Sequence, residues 1–71
     1  MAREMEVTLN GEKRRLPEGC SLLELLASLE LRVDRVAIEL NREIVKRDGW
    51  EGTRLQPGDV VEIVHFVGGG R

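Results

Sequence analysis

The sequence predicts an α+β domain in which one main helix packs across one face of a mixed β-sheet. Three observations lead there. Polar and apolar residues alternate from Glu4 to Leu9, the period of a half-buried strand, and an apolar-rich run extends from Val60 to Val67. Between them, Leu22, Leu25, Leu26 and Leu29 recur at helical spacing on one face. Turn residues separate these segments, and strand runs punctuated by one amphipathic helix are the pattern of an α+β layer pair.

In chain order, Met5, Val7 and Leu9 of the first strand face the core, and Asn10-Gly11 follows. Asn-Gly between two extended runs is a strong hairpin signal, because both residues tolerate positive φ. The returning strand spans Glu12 to Leu16, and Pro17-Glu18-Gly19 ends it. Ser21-Leu22-Leu23-Glu24 has the spacing of a capping box, in which the serine hydroxyl and the glutamate carboxylate each satisfy a backbone N–H at a helix start. The helix is expected from Leu22 to Glu30. Val36 to Leu40 forms a third strand, Asn41-Arg42 a tight turn, and Glu43 to Val45 a short fourth strand. The pattern fades from Lys46 to Arg54, where a loop with one helical turn near Asp48-Gly49-Trp50 is expected. Gln56-Pro57-Gly58-Asp59 places Pro and Gly as a type II turn prefers, and the last strand runs from Val60 to Val67. Residues 1–67 are thus read as the folded domain and residues 68–71 as a glycine tail.

Size and charge narrow the function classes. A chain of 71 residues makes one small core, burying roughly 60% of its unfolded surface, and cannot easily enclose a deep substrate cavity as well. This favours a binding or carrier module over a self-sufficient enzyme. With 11 basic and 13 acidic residues there is no electrostatic case for nucleic acid. The local run Lys13-Arg14-Arg15 reads as a solvated strand face. One cysteine forms no intramolecular disulfide, as expected of a cytosolic protein, and no apolar run is long enough to span a membrane.

Gly68-Gly69-Gly70 follows directly on the last apolar strand. Without Cβ atoms the segment is narrow enough to thread a tight channel and to place a terminal carboxylate beside ATP. A carboxylate presented in this way can become an acyl-adenylate, and a sulfur donor can then displace AMP to leave a thiocarboxylate. By themselves three glycines fit a frayed terminus or an added linker equally well.

Two stretches carry a family resemblance. Val36-Ala37-Ile38-Glu39-Leu40-Asn41 with Glu43-Ile44-Val45, Arg47 and Trp50 is one; Gly58-Asp59-Val60-Val61-Glu62-Ile63-Val64-His65-Phe66-Val67-Gly68-Gly69-Gly70 is the other. Together they resemble the middle and, more closely, the end of the thiamine-biosynthesis sulfur carrier (ThiS) family. The resemblance implies a ubiquitin-like β-grasp fold, no bound cofactor and no catalytic residues of the chain's own. It implies a separate adenylating, ubiquitin-activating-like enzyme that uses ATP, a sulfur donor such as a cysteine desulfurase or rhodanese-like protein, and thiazole synthase as acceptor. Gly70 would be the acylated residue and Gly69 its partner in the di-glycine motif. Sibling carriers for molybdopterin or cysteine synthesis share the tail chemistry, and a non-catalytic ubiquitin-like binding module is the third reading. Two departures stand out. Arg71 follows Gly70 where family members stop, so the active form is expected to end at Gly70; processed precursors that feed cysteine synthesis are similar in this respect. Arg42 occupies a turn position where glycine is common.

Other residues invite weighing. Cys20 precedes the helix start, but without a His or second Cys partner it reads as a small turn or core residue. His65 lacks partners at ligand spacing and is assigned a structural or interface role. Val64 and Phe66 share one strand face, with Val61, Ile63 and His65 on the other. If Val61 and Ile63 face the helix, Val64 and Phe66 form an exposed patch for docking partners beside the tail; in the opposite register Phe66 is core. Trp50 either caps the small core or contacts partners, the core reading being preferred.

Overall fold

The computed structural model describes residues 3–66. Strand β1 (Glu4–Leu9) and β2 (Glu12–Pro17) form an antiparallel hairpin, followed by helix α1 (Leu22–Ser28), a 3-10 turn at Val33–Arg35, β3 (Val36–Leu40), β4 (Glu43–Val45), a second 3-10 turn at Arg47–Gly49 and β5 (Val60–His65). The five strands lie in the order β2-β1-β5-β3-β4. β5 runs parallel to β1 and antiparallel to β3, so the sheet is mixed. With the helix across one face, this is the β-grasp arrangement.

Local chemistry sets each turn. Asn10 and Gly11 take φ of 50° and 84°, and Asn41 and Arg42 take 51° and 74°: both hairpins use the double positive-φ turn whose twist suits paired strands. Gly58, at φ 86°, occupies the third position of the Gln56–Asp59 turn, which closes through the Asp59 N–H donating to the Gln56 carbonyl at 3.1 Å. At the helix start the Glu24 N–H donates to Ser21 Oγ and the Ser21 N–H to Glu24 Oε1, both at 3.0 Å. The next two N–H groups, of Leu22 and Leu23, donate to the Thr53 and Trp50 carbonyls. The loop therefore completes the cap that the sequence begins.

The helix is shorter than the expected Leu22–Glu30 span, because Glu30 takes a left-handed φ of 59°. The Leu31 N–H returns to the Leu26 carbonyl and the Glu30 N–H to that of Ala27, the two bonds of a Schellman ending. Glutamate stands where glycine would be unstrained, which is why the sequence alone carries the helix too far. β5 is formed by Val60–His65, and the Phe66 N–H still donates to the Arg35 carbonyl; Val67, the expected end of the strand, lies outside the described residues. β2 gains Pro17 at its edge, and the turn at Val33–Arg35 was not anticipated.

The core lies between helix and sheet. Leu22, Leu25 and Leu26 meet Met5, Val7, Leu9, Val36, Ile38, Val61 and Ile63. Trp50, in the stretch where the pattern fades, and Leu55, just past it, are 2% and 1% exposed and close the end of this core. The Trp50 indole N–H donates to the Val45 carbonyl at 2.8 Å, so the ring is buried without an orphaned donor.

Candidate functional site on strand β5

The alternation of β5 settles the two registers left open by sequence. Val61 and Ile63 are buried against the helix, whereas Val64 and Phe66 are 57% and 54% exposed on the outer face. His65 follows the inward parity but lies exposed at the sheet end, opposite Val36. Glu39 faces Glu62 and Ala37 faces Val64 across the β3–β5 pair, and Ile44 lies opposite Glu39 on β4. These side chains line a shallow groove of about 270 Å³ that ends at Phe66.

Ile44, at 74%, is the most exposed large apolar residue among the described residues, and its place beside the patch was missed by sequence reasoning. The signal was present. A two-residue turn at Asn41-Arg42 pairs Leu40 with Glu43 and Glu39 with Ile44, which sends Ile44 to the face opposite Ile38.

Two asparagines hold β5 in place. Asn10 uses its side-chain amide as a strand residue uses its backbone: Oδ1 accepts from the Ile63 N–H at 2.8 Å and Nδ2 donates to the Ile63 carbonyl at 3.2 Å. At the neighbouring hairpin, Asn41 Oδ1 accepts from the Val60 N–H at 2.9 Å and its backbone N–H donates to the Val60 carbonyl at 2.7 Å. The turn residues at φ near 50° thus extend the ladder on both flanks of β5.

The remaining candidates lie away from this groove. Lys13 and Arg15 lie on edge strand β2, exposed and paired with Glu6 and Glu4 at 3.8 and 3.1 Å. Among the described residues no cluster of three or more His, Cys, Asp or Glu is placed to hold a metal, and no helix is long and apolar enough to cross a membrane. Gly68, Gly69 and Gly70 lie outside the described residues.

Cys20 is buried in the core, and its thiol donates to the Ser21 carbonyl at 3.4 Å. Burial pushes the Cys20 thiol up, Glu24 adds to the rise and Arg54 opposes it; desolvation of the thiolate outweighs the adjacent helix start. A thiol raised on folding keeps its proton more tightly in the native state. Its contribution is therefore whole below the ordinary value of 9.0 and is lost as pH climbs past it. Cys20→Ala is expected to flatten the decline of stability between neutral pH and alkaline conditions, read from urea midpoints across that range. An unchanged slope would assign the decline to other groups.

The ThiS family matches this chain over residues 2–70. The sulfur carrier protein ThiS of Bacillus subtilis is 44% identical over 63 residues, covering 87% of this chain and 96% of the relative. A thiazole synthase of Magnetococcus marinus is 39% identical over 67 residues, which cover 94% of this chain; the chain spans about a fifth (21%) of that relative's length. The crystal structure of the thiamine biosynthesis protein ThiS from Geobacter metallireducens superposes with a TM-score of 0.80 at 35% identity, covering 93% of this chain and 100% of that one. The mixed five-stranded sheet, the single helix across it and matches of this extent together show that the chain belongs to the ThiS family, the sulfur carriers of thiamine biosynthesis.

Proposed function

We propose that this chain is a protein co-substrate that carries sulfur on Gly70 to thiazole synthase. The observation that carries the reading is the family match, which runs through the glycine tail to residue 70. In the proposed cycle the chain ends at Gly70 once Arg71 is absent. A partner enzyme joins the Gly70 carboxylate to the α-phosphorus of ATP, with pyrophosphate leaving. A sulfur donor, of the cysteine desulfurase or rhodanese type, attacks the acyl carbon and AMP leaves. A second thiol then attacks the donor's sulfur in the resulting acyl disulfide, forming a disulfide with the donor and releasing a thiocarboxylate, a better nucleophile than the carboxylate it replaces. The relative named thiazole synthase, of which this chain spans 21%, supports that enzyme as acceptor. The chain itself contributes position and access: a rigid strand, β5, that leads in sequence to the glycines, and an apolar face beside it on which Val64 and Phe66 are proposed to dock partners.

The test uses the chain trimmed to Gly70, its adenylating enzyme, ATP and a sulfur donor. Intact mass spectrometry is expected to show a gain equal to one oxygen-to-sulfur exchange, located in the C-terminal peptide. Deleting Gly70, or replacing Gly69 with a bulky residue, should abolish the gain while circular dichroism stays native. An unchanged mass, with an enzyme shown to be active on another carrier, overturns the reading.

A further inference from the structure

The outer face of the sheet balances its charge on one half and leaves it unbalanced on the other. On β1 and β2, Glu4 and Glu6 meet Arg15 and Lys13. On β3 and β5, Glu39 and Glu62 stand directly opposite one another. Neither belongs to an ion pair among the described residues, where the remaining pair joins Arg32 to Asp34. Like charges across a strand pair destabilise a sheet, so the fold gains nothing from this placement.

The two carboxylates are also set among apolar side chains. Ile44 flanks Glu39 on β4, Ala37 and Val64 form the next row, and Phe66 closes the groove. A long cationic side chain fits that arrangement. Its aliphatic stem would cover Ile44 and Val64 while its head reached both carboxylates, and a guanidinium, planar and able to donate to two carboxylates, suits the role better than an ammonium. A second copy of this chain does not supply this: paired face to face, it would bring four carboxylates together.

We propose that Glu39 and Glu62 form a receptor for an arginine side chain on the docking surface of thiazole synthase, inserted between apolar contacts to Ile44, Val64 and Phe66. The inference rests on the reading of this face as the partner-binding face. The acidic pair sets which partner surface is accepted, and the apolar residues supply the contact area.

The experiment titrates thiazole synthase and, separately, the adenylating enzyme, both from the same source, with the chain trimmed to Gly70, by calorimetry at low and at physiological salt. Four proteins are compared: the unsubstituted chain, Glu39→Gln/Glu62→Gln, Phe66→Ala and Lys13→Gln. The double glutamine variant is expected to bind about tenfold more weakly at low salt and to lose most of the salt dependence, while unfolding in urea at the same or a higher concentration because the repulsion is gone. Lys13→Gln should bind as the unsubstituted chain does. If Phe66→Ala weakens binding and the glutamine pair does not, the arginine receptor is overturned and the docking face stands. If neither weakens it, the docking face falls as well. A glutamine variant that weakens binding only to the adenylating enzyme overturns the assignment to thiazole synthase, and one that unfolds more easily overturns the claim that the pair is kept for binding.

Discussion

Trp50→Ala is expected to remove about 4 kcal/mol of stability, against a total of roughly 4–10 kcal/mol for a domain of this length. The variant should be largely unfolded or nearly so at 25 °C, as read by circular dichroism in a urea titration. The effect is large because the ring does two things. It fills the end of the core at 2% exposure, and its indole N–H closes against the Val45 carbonyl at 2.8 Å. Its backbone carbonyl also receives the Leu23 N–H near the start of α1, so a collapsing loop uncaps the helix. Trp50→Phe separates the contributions. It keeps most of the apolar volume and deletes the donor, leaving a carbonyl unpaired, and should cost about 1–2 kcal/mol. A loss below about 1 kcal/mol in Trp50→Ala would show that the loop carries no core function, contrary to what burial of this size commands.

Phe66→Asp should leave the fold intact and abolish productive docking. The side chain is 54% exposed on the outer face, so a carboxylate there costs little in the free chain. In a complex it would be desolvated beside Glu62 and Val64 on the same face, with no gain to offset the loss. Loss of a central aromatic anchor commonly costs more than about 2 kcal/mol, roughly thirtyfold in affinity, and the added charge increases this. Calorimetry with thiazole synthase and with the adenylating enzyme reads the affinity, and the urea midpoint reads the fold. Unchanged affinity for both, with unchanged stability, would place docking elsewhere on the molecule and leave the tail as the only recognised element.

Much of this architecture was legible because the determinants are local. The Asn10-Gly11 hairpin, the Ser21–Glu24 capping box and the Pro57-Gly58 turn each depend on a few adjacent residues, and each forms as read. The alternation of Val61 and Ile63 against Val64 and Phe66 was legible once the helix-covered face was known. What escaped depends on distant partners. Glu30 adopts a left-handed conformation that its own chemistry disfavours, held by the backbone bonds of the helix end. Leu55, at 1% exposure, has no periodic neighbours to announce it, and its depth follows from the pairing of its N–H with the Cys20 carbonyl. The opposition of Glu39 to Glu62 requires β5 to lie beside β3, which no local pattern specifies.

That position of β5 has a consequence for how the molecule is made. Its two neighbours, β1 and β3, each belong to a hairpin that closes over a short stretch of chain and can form early. β5 lies between these hairpins and follows both of them in the chain. Until it leaves the ribosome, Thr8 has no Val60 and Val36 no His65 to pair with, and the two hairpins cannot share a sheet. Folding of this domain is therefore expected to wait on β5, limited by the long loop that joining β1 to β5 must close. A nascent chain halted before Val60 would carry two half-sheets with open inner edges, a natural substrate for chaperones and proteases.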